Sequence, residues 1–176
     1  MRSAFRTWQR PYLLALIGIG VLVIAGSLRA LNFTQSLWLD ELHTAWVVAD
    51  GLENISQRAA TGHTTAAYFL LPWLTTQLLG LNEFALRLPS LVAGIWLTFF
   101  VAWFTYKQTR SINLATLAAL LVACEPNFIF YSQEARSYAV VQACAAIQLL
   151  LTWKLWLERP IRWRRYLWVG VSALLV

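Results

Sequence analysis

The chain has 176 residues, of which 59% are hydrophobic and 14% aromatic but only 12% charged, against about 25% charged in an ordinary soluble domain. Apolar runs of membrane length and this deficit of charge exclude a water-soluble globular protein and point to a membrane protein. The net charge of +6 comes from basic residues grouped between the apolar runs, the pattern of the positive-inside bias rather than of nucleic-acid binding.

Arg2, Arg6 and Arg10 precede the first apolar run, which predicts a span over about residues 12–31. A signal peptide shares the basic head and apolar core. This run is long for one, shows no clean small-residue cleavage site before the acidic stretch, and is interrupted by Arg29 where such a site would lie, so the span is read as retained.

An outer loop over residues 32–85 follows. Within it Trp38-Leu39-Asp40-Glu41-Leu42-His43-Thr44-Ala45-Trp46 places two adjacent carboxylates and a histidine just past the first span. On a helix from Asp40 to Asp50, closed by Gly51, Asp40, His43 and Thr44 share one face, and Leu42, Ala45, Trp46 and Ala49 share another. That pattern suits a helix lying in the membrane interface, although an ordinary polar loop after a span is the blander reading. Leu52, Ile55 and Ala59 form a shorter helical stripe.

Thr65–Leu79 is apolar, but its 15 residues reach only about 22 Å against roughly 30 Å of hydrocarbon. Three longer runs predict spans over residues 86–106, 112–130 and 138–157. With Thr65–Leu79 in the interface, Arg2, Arg6, Arg10, Lys107, Arg110, Lys154, Arg159, Arg162, Arg164 and Arg165 fall on the cytoplasmic side. Only Arg29, Arg58, Arg87 and Arg136 fall outside, a partition of ten to four. Residues 166–176 begin a fifth, truncated span, which reads as the N-terminal part of a longer transmembrane domain. Cys124 and Cys144 lie within spans without metal-type spacing and read as small packing residues.

This topology gathers Asp40, Glu41, His43, His63 and the stretch Tyr131-Ser132-Gln133-Glu134-Ala135-Arg136-Ser137-Tyr138 on one side of the membrane. A carboxylate there can act as a base towards an acceptor hydroxyl or amine. Arginine or histidine beside it can hold a phosphate. Local readings stand next to these: Arg136 snorkelling at a helix end, His63 as an ordinary interfacial histidine, a Glu134–Tyr138 hydrogen bond ordering the loop, and Glu125 with Pro126 bending the third span.

Three stretches, Leu37-Trp38-Leu39-Asp40-Glu41, Glu83-Phe84-Ala85-Leu86-Arg87-Leu88-Pro89-Ser90 and Tyr131–Tyr138, together resemble the N-terminal part of the GT-C glycosyltransferases. The likeness is to bacterial members related to dolichyl-phosphate-mannose protein mannosyltransferases (glycosyltransferase family 39) and to the lipid A aminoarabinose transferase. The resemblance implies an all-α, polytopic membrane helix bundle with juxtamembrane interfacial helices in the first outer loop. It implies transfer of a sugar from a polyprenyl-phosphate-linked donor to a lipid, glycan or protein acceptor on the periplasmic or lumenal side, by a protein of the plasma (inner) membrane with its N-terminus cytoplasmic. Asp40 then matches the family's loop aspartate, thought to activate the acceptor, with Glu41 as its partner and Glu134 as a second acidic position. His43, His63 and Arg136 are candidates to contact phosphate or acceptor. At His63 the relatives carry two following prolines where this chain has Thr64 and Thr65. Some relatives bind a divalent cation, the one cofactor left open, and no persuasive metal-ligand set stands in the sequence. A fragment missing later spans is expected to be inactive by itself. The rival reading is a non-enzymatic transporter or assembly subunit handling lipid-linked substrates, but transporters place their ionisable groups within spans rather than in surface loops.

Overall fold

The computed structural model describes residues 2–31, 33–62 and 64–157, with side chains described from residue 16 to residue 154. His63, the expected span over residues 166–176 and the basic residues from Arg159 to Arg165 lie outside the described residues. Every regular element among the described residues is helical: α1 (Arg2–Ala30), α2 (Leu39–Val48), a short 3₁₀ turn (Leu52–Asn54), α3 (Ile55–Thr61), α4 (Ala66–Leu79), α5 (Glu83–Thr109), α6 (Ile112–Cys124), α7 (Pro126–Ser132) and α8 (Tyr138–Leu157). This is the all-α bundle the composition predicts.

α5 is the hub and packs against α1, α4, α6, α7 and α8. Asn82 starts it by accepting from the Ala85 amide at 2.8 Å. Among the described residues it is the one helix that is by itself long and apolar enough to cross a membrane. Its 27 residues reach about 40 Å. α1 and α6 meet through Val21, Ala25, Ala119 and Ala123, small side chains that let helices approach closely. Trp96, Phe99 and Trp103 on α5 and Leu117 and Leu121 on α6 are exposed, as befits surfaces that meet lipid or further helices rather than water.

The segment expected as a span over residues 112–130 is bent at Glu125 and Pro126. α6 stops at Cys124, Glu125 is extended, and α7 leaves at 60° to α6. Pro126 is the cause: it disfavours helical backbone in the residue before it and has no amide to continue the ladder. Glu125 then caps α7, accepting from the Phe128 amide at 2.7 Å and from Asn127 Nδ2 at 2.9 Å.

α2, α3 and α4 form a compact outer layer between α1 and α5. Gly51 and Gly80, both with positive φ (91° and 82°), make its turns. Val47, Val48, Ile55, Ala59, Phe69 and Leu86 build its core around Ala135. α4 has 14 residues, about 21 Å. It is fastened to α5 at a proline: Pro89 cannot donate to the Ala85 carbonyl, and Thr75 Oγ1 of α4 donates there instead at 2.6 Å.

α2 is helical as expected, and the face of Leu42, Trp46 and Ala49 is exposed, as a lipid-facing side would be; the sequence did not mark Glu41 as buried. Glu41, Thr44, Val47 and Val48 are buried, while Leu39, Leu42 and Trp46 are exposed. Asp40 and His43 sit at the edge, half-buried. Glu41 lies inside because a buried cation awaits it there.

Candidate active site

That cation is Arg87, in the second turn of α5. Its Nε and Nη2 donate to Glu41 Oε1 and Oε2 at 2.8 and 2.6 Å, a two-pronged pair in which the side chains are 5% and 1% exposed. Arg87 also donates to the carbonyls of Phe33, Gln35 and Ser36, which hold the segment between α1 and α2. Glu41 accepts in addition from the amides of Ala135 at 2.8 Å and Trp38 at 3.4 Å. Each of its oxygens thus accepts two hydrogen bonds, and Glu41 ties α2 to α5 and to Ala135.

Thr44, one turn on, donates from Oγ1 to the Ala135 carbonyl at 2.7 Å. α2 therefore grips both backbone groups of one residue. Ala135 is fully buried, and a larger side chain would hold the two segments apart. In this way the Asp40–Thr44 turn and the Gln133–Ser137 loop, separated by about ninety residues of sequence, become one surface. Ser90 Oγ of α5 donates to the Arg136 carbonyl at 3.0 Å, and Arg136 Nη1 donates to the Asp40 carbonyl at 3.3 Å.

Two clefts open on this surface. The first, about 340 Å³, is lined by Gln35, Ser36, Trp38, Glu41, Arg87, Phe130, Gln133 and Glu134. Glu134 is 6% exposed and its Oε2 has no hydrogen-bond partner among the described residues. Burial, reinforced by the charges of Glu41 and Asp40 and opposed by Arg136 and Arg87, pushes its carboxyl up from 4.5 to about 7. The expected local bond between Glu134 and Tyr138 is absent among the described residues; the backbone over residues 133–137 turns rather than continuing as helix. The Asp40 carboxylate, by contrast, is half-buried and makes no hydrogen bond or ion pair with the described residues.

The second cleft, about 180 Å³, lies across Arg136 and is lined by Thr64, Thr65, Tyr68, Phe69, Arg136 and Ser137. Tyr68 is 9% exposed, and its hydroxyl lies near Ser90 without a hydrogen bond to any of the described residues. Burial pushes its phenol well above the ordinary value. Arg136 also leans over the Tyr138 ring, 6.0 Å from its centroid.

His43 packs against Trp46 and Phe69, with ring centroids 5.9 Å away in each case, and beneath Gly62, where a Cβ would come within 2.6 Å of its ring. Its Nε2 has no partner among the described residues. It lies on the α3–α4 side of α2. No group of three or more His, Cys, Asp or Glu capable of holding a metal occurs among the described residues.

Of the residues singled out in the sequence, Asp40, Glu41, Glu134 and Arg136 come together; His43 stands to one side. Arg87 and Thr44 were missed as site residues. Arg87 had a signal, a charge at the head of an apolar span. Thr44 had none, because its partner is a backbone carbonyl.

A family model described as dolichyl-phosphate-mannose-protein mannosyltransferase matches residues 63–175, well over half of the chain. The match takes in Arg87, Glu134 and Arg136 and begins beyond Asp40 and Glu41. No curated protein and no solved structure matches the chain.

Proposed function

We infer the function from the premise that the chain belongs to the dolichyl-phosphate-mannose-protein mannosyltransferase family, and is therefore a membrane glycosyltransferase. The inferred reaction moves a sugar from a polyprenyl-phosphate-linked donor to a lipid, glycan or protein acceptor at the periplasmic or lumenal face. In this reading α1, α5, the broken α6–α7 pair and α8 cross the plasma (inner) membrane, with the N-terminus cytoplasmic. The layer α2–α4 lies on the outer surface. The shortness of α4 and the partition of basic residues support that arrangement.

The observation that carries the reading is the docking of α2 onto Ala135 through Glu41 and Thr44, which gathers a free carboxylate, a neutralisable carboxyl and a guanidinium around two clefts. Asp40 is the general base. As it takes the acceptor's proton, the acceptor oxygen or nitrogen attacks the anomeric carbon from the face opposite the carrier. The bond from that carbon to the carrier phosphate breaks, and its electron pair leaves with the phosphate. Inversion follows from this single in-line displacement.

Arg136, with the hydroxyls of Thr64, Thr65 and Ser137 around the second cleft, suits the carrier phosphate, whose charge grows as the bond breaks. Glu134, carrying a proton for much of the time near neutrality, donates a hydrogen bond to a sugar oxygen in the first cleft. Glu41 and Arg87 hold the base-bearing turn in place. His43, on the α3–α4 side of α2, and His63 are contacts for the acceptor or the carrier.

Asp40→Asn tests the reading. It preserves size and much of the hydrogen bonding but removes the proton acceptor, and a positioned base contributes about 10²–10⁴ in rate. Turnover at saturating donor and acceptor, in membranes containing the full-length protein, is expected to fall by that order with expression unchanged, while Glu53→Gln stays near wild type. Near-normal turnover in Asp40→Asn would remove the base and the mechanism with it.

A further inference from the structure

Arg29, in the last turn of α1, is completely buried, and every partner it has among the described residues is a neutral oxygen. Its Nε donates to Ser132 Oγ at 3.3 Å, Nη1 to the carbonyls of Ala25 and Ala123 at 3.1 and 3.0 Å, and Nη2 to the carbonyl of Val122 at 3.0 Å. A buried cation without a counter-ion is expensive, and an apolar side chain would pack a helix end at less cost. What Arg29 supplies is donors where the chain lacks them. The Val122 carbonyl would be served in a continuous helix by the amide of residue 126, which is proline, and the Ala123 carbonyl loses its partner to the bend. The guanidinium fills both vacancies and reaches on to Ser132 at the far end of α7.

The neighbouring helix is cut to fit this group. A Cβ at Gly94 of α5 would stand 2.1 Å from Ser132 Oγ and 2.9 Å from Arg29 Nε. One residue before Arg29, the Leu28 carbonyl accepts from Gln133 Nε2 at 2.9 Å. α1 therefore holds Ser132 and Gln133, α2 holds Ala135, and Glu134 stands between the two grips with Oε2 unpartnered.

We propose that Arg29 is a positioning residue of this site: its guanidinium stabilises the broken α6–α7 segment at its bend and so seats the loop that carries Glu134 on α2. The consequence for turnover rests on the sugar-transfer reading; the consequence for the loop does not.

The test uses Arg29→Met, Arg29→Lys and Gly94→Ala in the full chain in detergent micelles, with amide hydrogen exchange read at Ala135 and, as a control outside the core around Ala135, at Thr76, buried near the end of α4. Arg29→Met and Gly94→Ala are each expected to speed exchange at Ala135 by tenfold or more and to leave Thr76 unchanged. Arg29→Lys restores part of the protection. Unaltered protection at Ala135 in both variants, or equal losses at Ala135 and Thr76 in both, overturns the proposal. In the full-length protein, Arg29→Met is further expected to lower kcat and move the pH midpoint set by Glu134, with donor KM within twofold. Exchange that speeds up at Ala135 while kcat and the midpoint hold supports the positioning role and overturns the assignment of Glu134 to catalysis.

Discussion

Replacing Glu41 by Gln removes one charge from the most enclosed ion pair of the described residues and leaves Arg87 in place. The side chains of this pair are 1% and 5% exposed, so water cannot solvate the abandoned guanidinium. Removing one partner of a buried pair costs about 3–5 kcal/mol. Arg87 keeps its bonds to the carbonyls of Phe33, Gln35 and Ser36, and the Gln amide oxygen remains an acceptor, which places the expectation near the lower end, about 3 kcal/mol. At about 1.4 kcal/mol per decade, local opening of the outer layer should become on the order of 10²-fold more frequent. Hydrogen exchange at the amides of Val47 and Val48, buried on the same helix, reads that opening directly. Asp50→Asn is the matched control. It breaks the Arg58–Asp50 pair, whose side chains are 22% and 55% exposed, and should cost about 0–1 kcal/mol. The double replacement Glu41→Met with Arg87→Met should be less damaging than Glu41→Gln alone, because it removes the unpaired charge as well. Exchange in Glu41→Gln indistinguishable from Asp50→Asn would mean that the pair does not hold the outer layer, and the argument from burial would fail.

The pH dependence of stability carries the signature of Glu134. Folding raises its carboxyl from 4.5 to about 7, so the folded chain keeps a proton that the unfolded chain has released, and stability falls as pH rises through that interval and levels off above it. Glu134→Gln should flatten that limb in urea unfolding series; an unchanged slope would show that another group is responsible. For topology, Ser56→Cys and Gln108→Cys both place thiols at exposed positions. With Cys124 and Cys144 replaced, an impermeant thiol reagent applied to intact cells should label position 56 and spare position 108. Labelling of position 108 from outside would overturn the interfacial placement of α4.

Helix formation, the division between apolar and basic segments and the shortness of α4 were legible along the chain, because hydropathy and length act locally. The likeness carried by the Asp40–Glu41 and Tyr131–Tyr138 stretches also identified two segments that the fold brings into contact. What local pattern could not decide is which carboxylate is spent on structure. Asp40 and Glu41 are adjacent and chemically alike. Glu41 is committed because Arg87, 46 residues on, and the Ala135 amide, 94 residues on, converge on it, whereas among the described residues no such partner reaches Asp40. The broken third span was hinted at by Glu125 and Pro126, yet the donors to the Val122 and Ala123 carbonyls at its bend come from Arg29, whose partners nothing in the sequence indicated. Backbone groups freed by Pro89 and Pro126 must be satisfied by whatever side chain packs nearby. That neighbour, Thr75 in one case and Arg29 in the other, is chosen by tertiary packing alone.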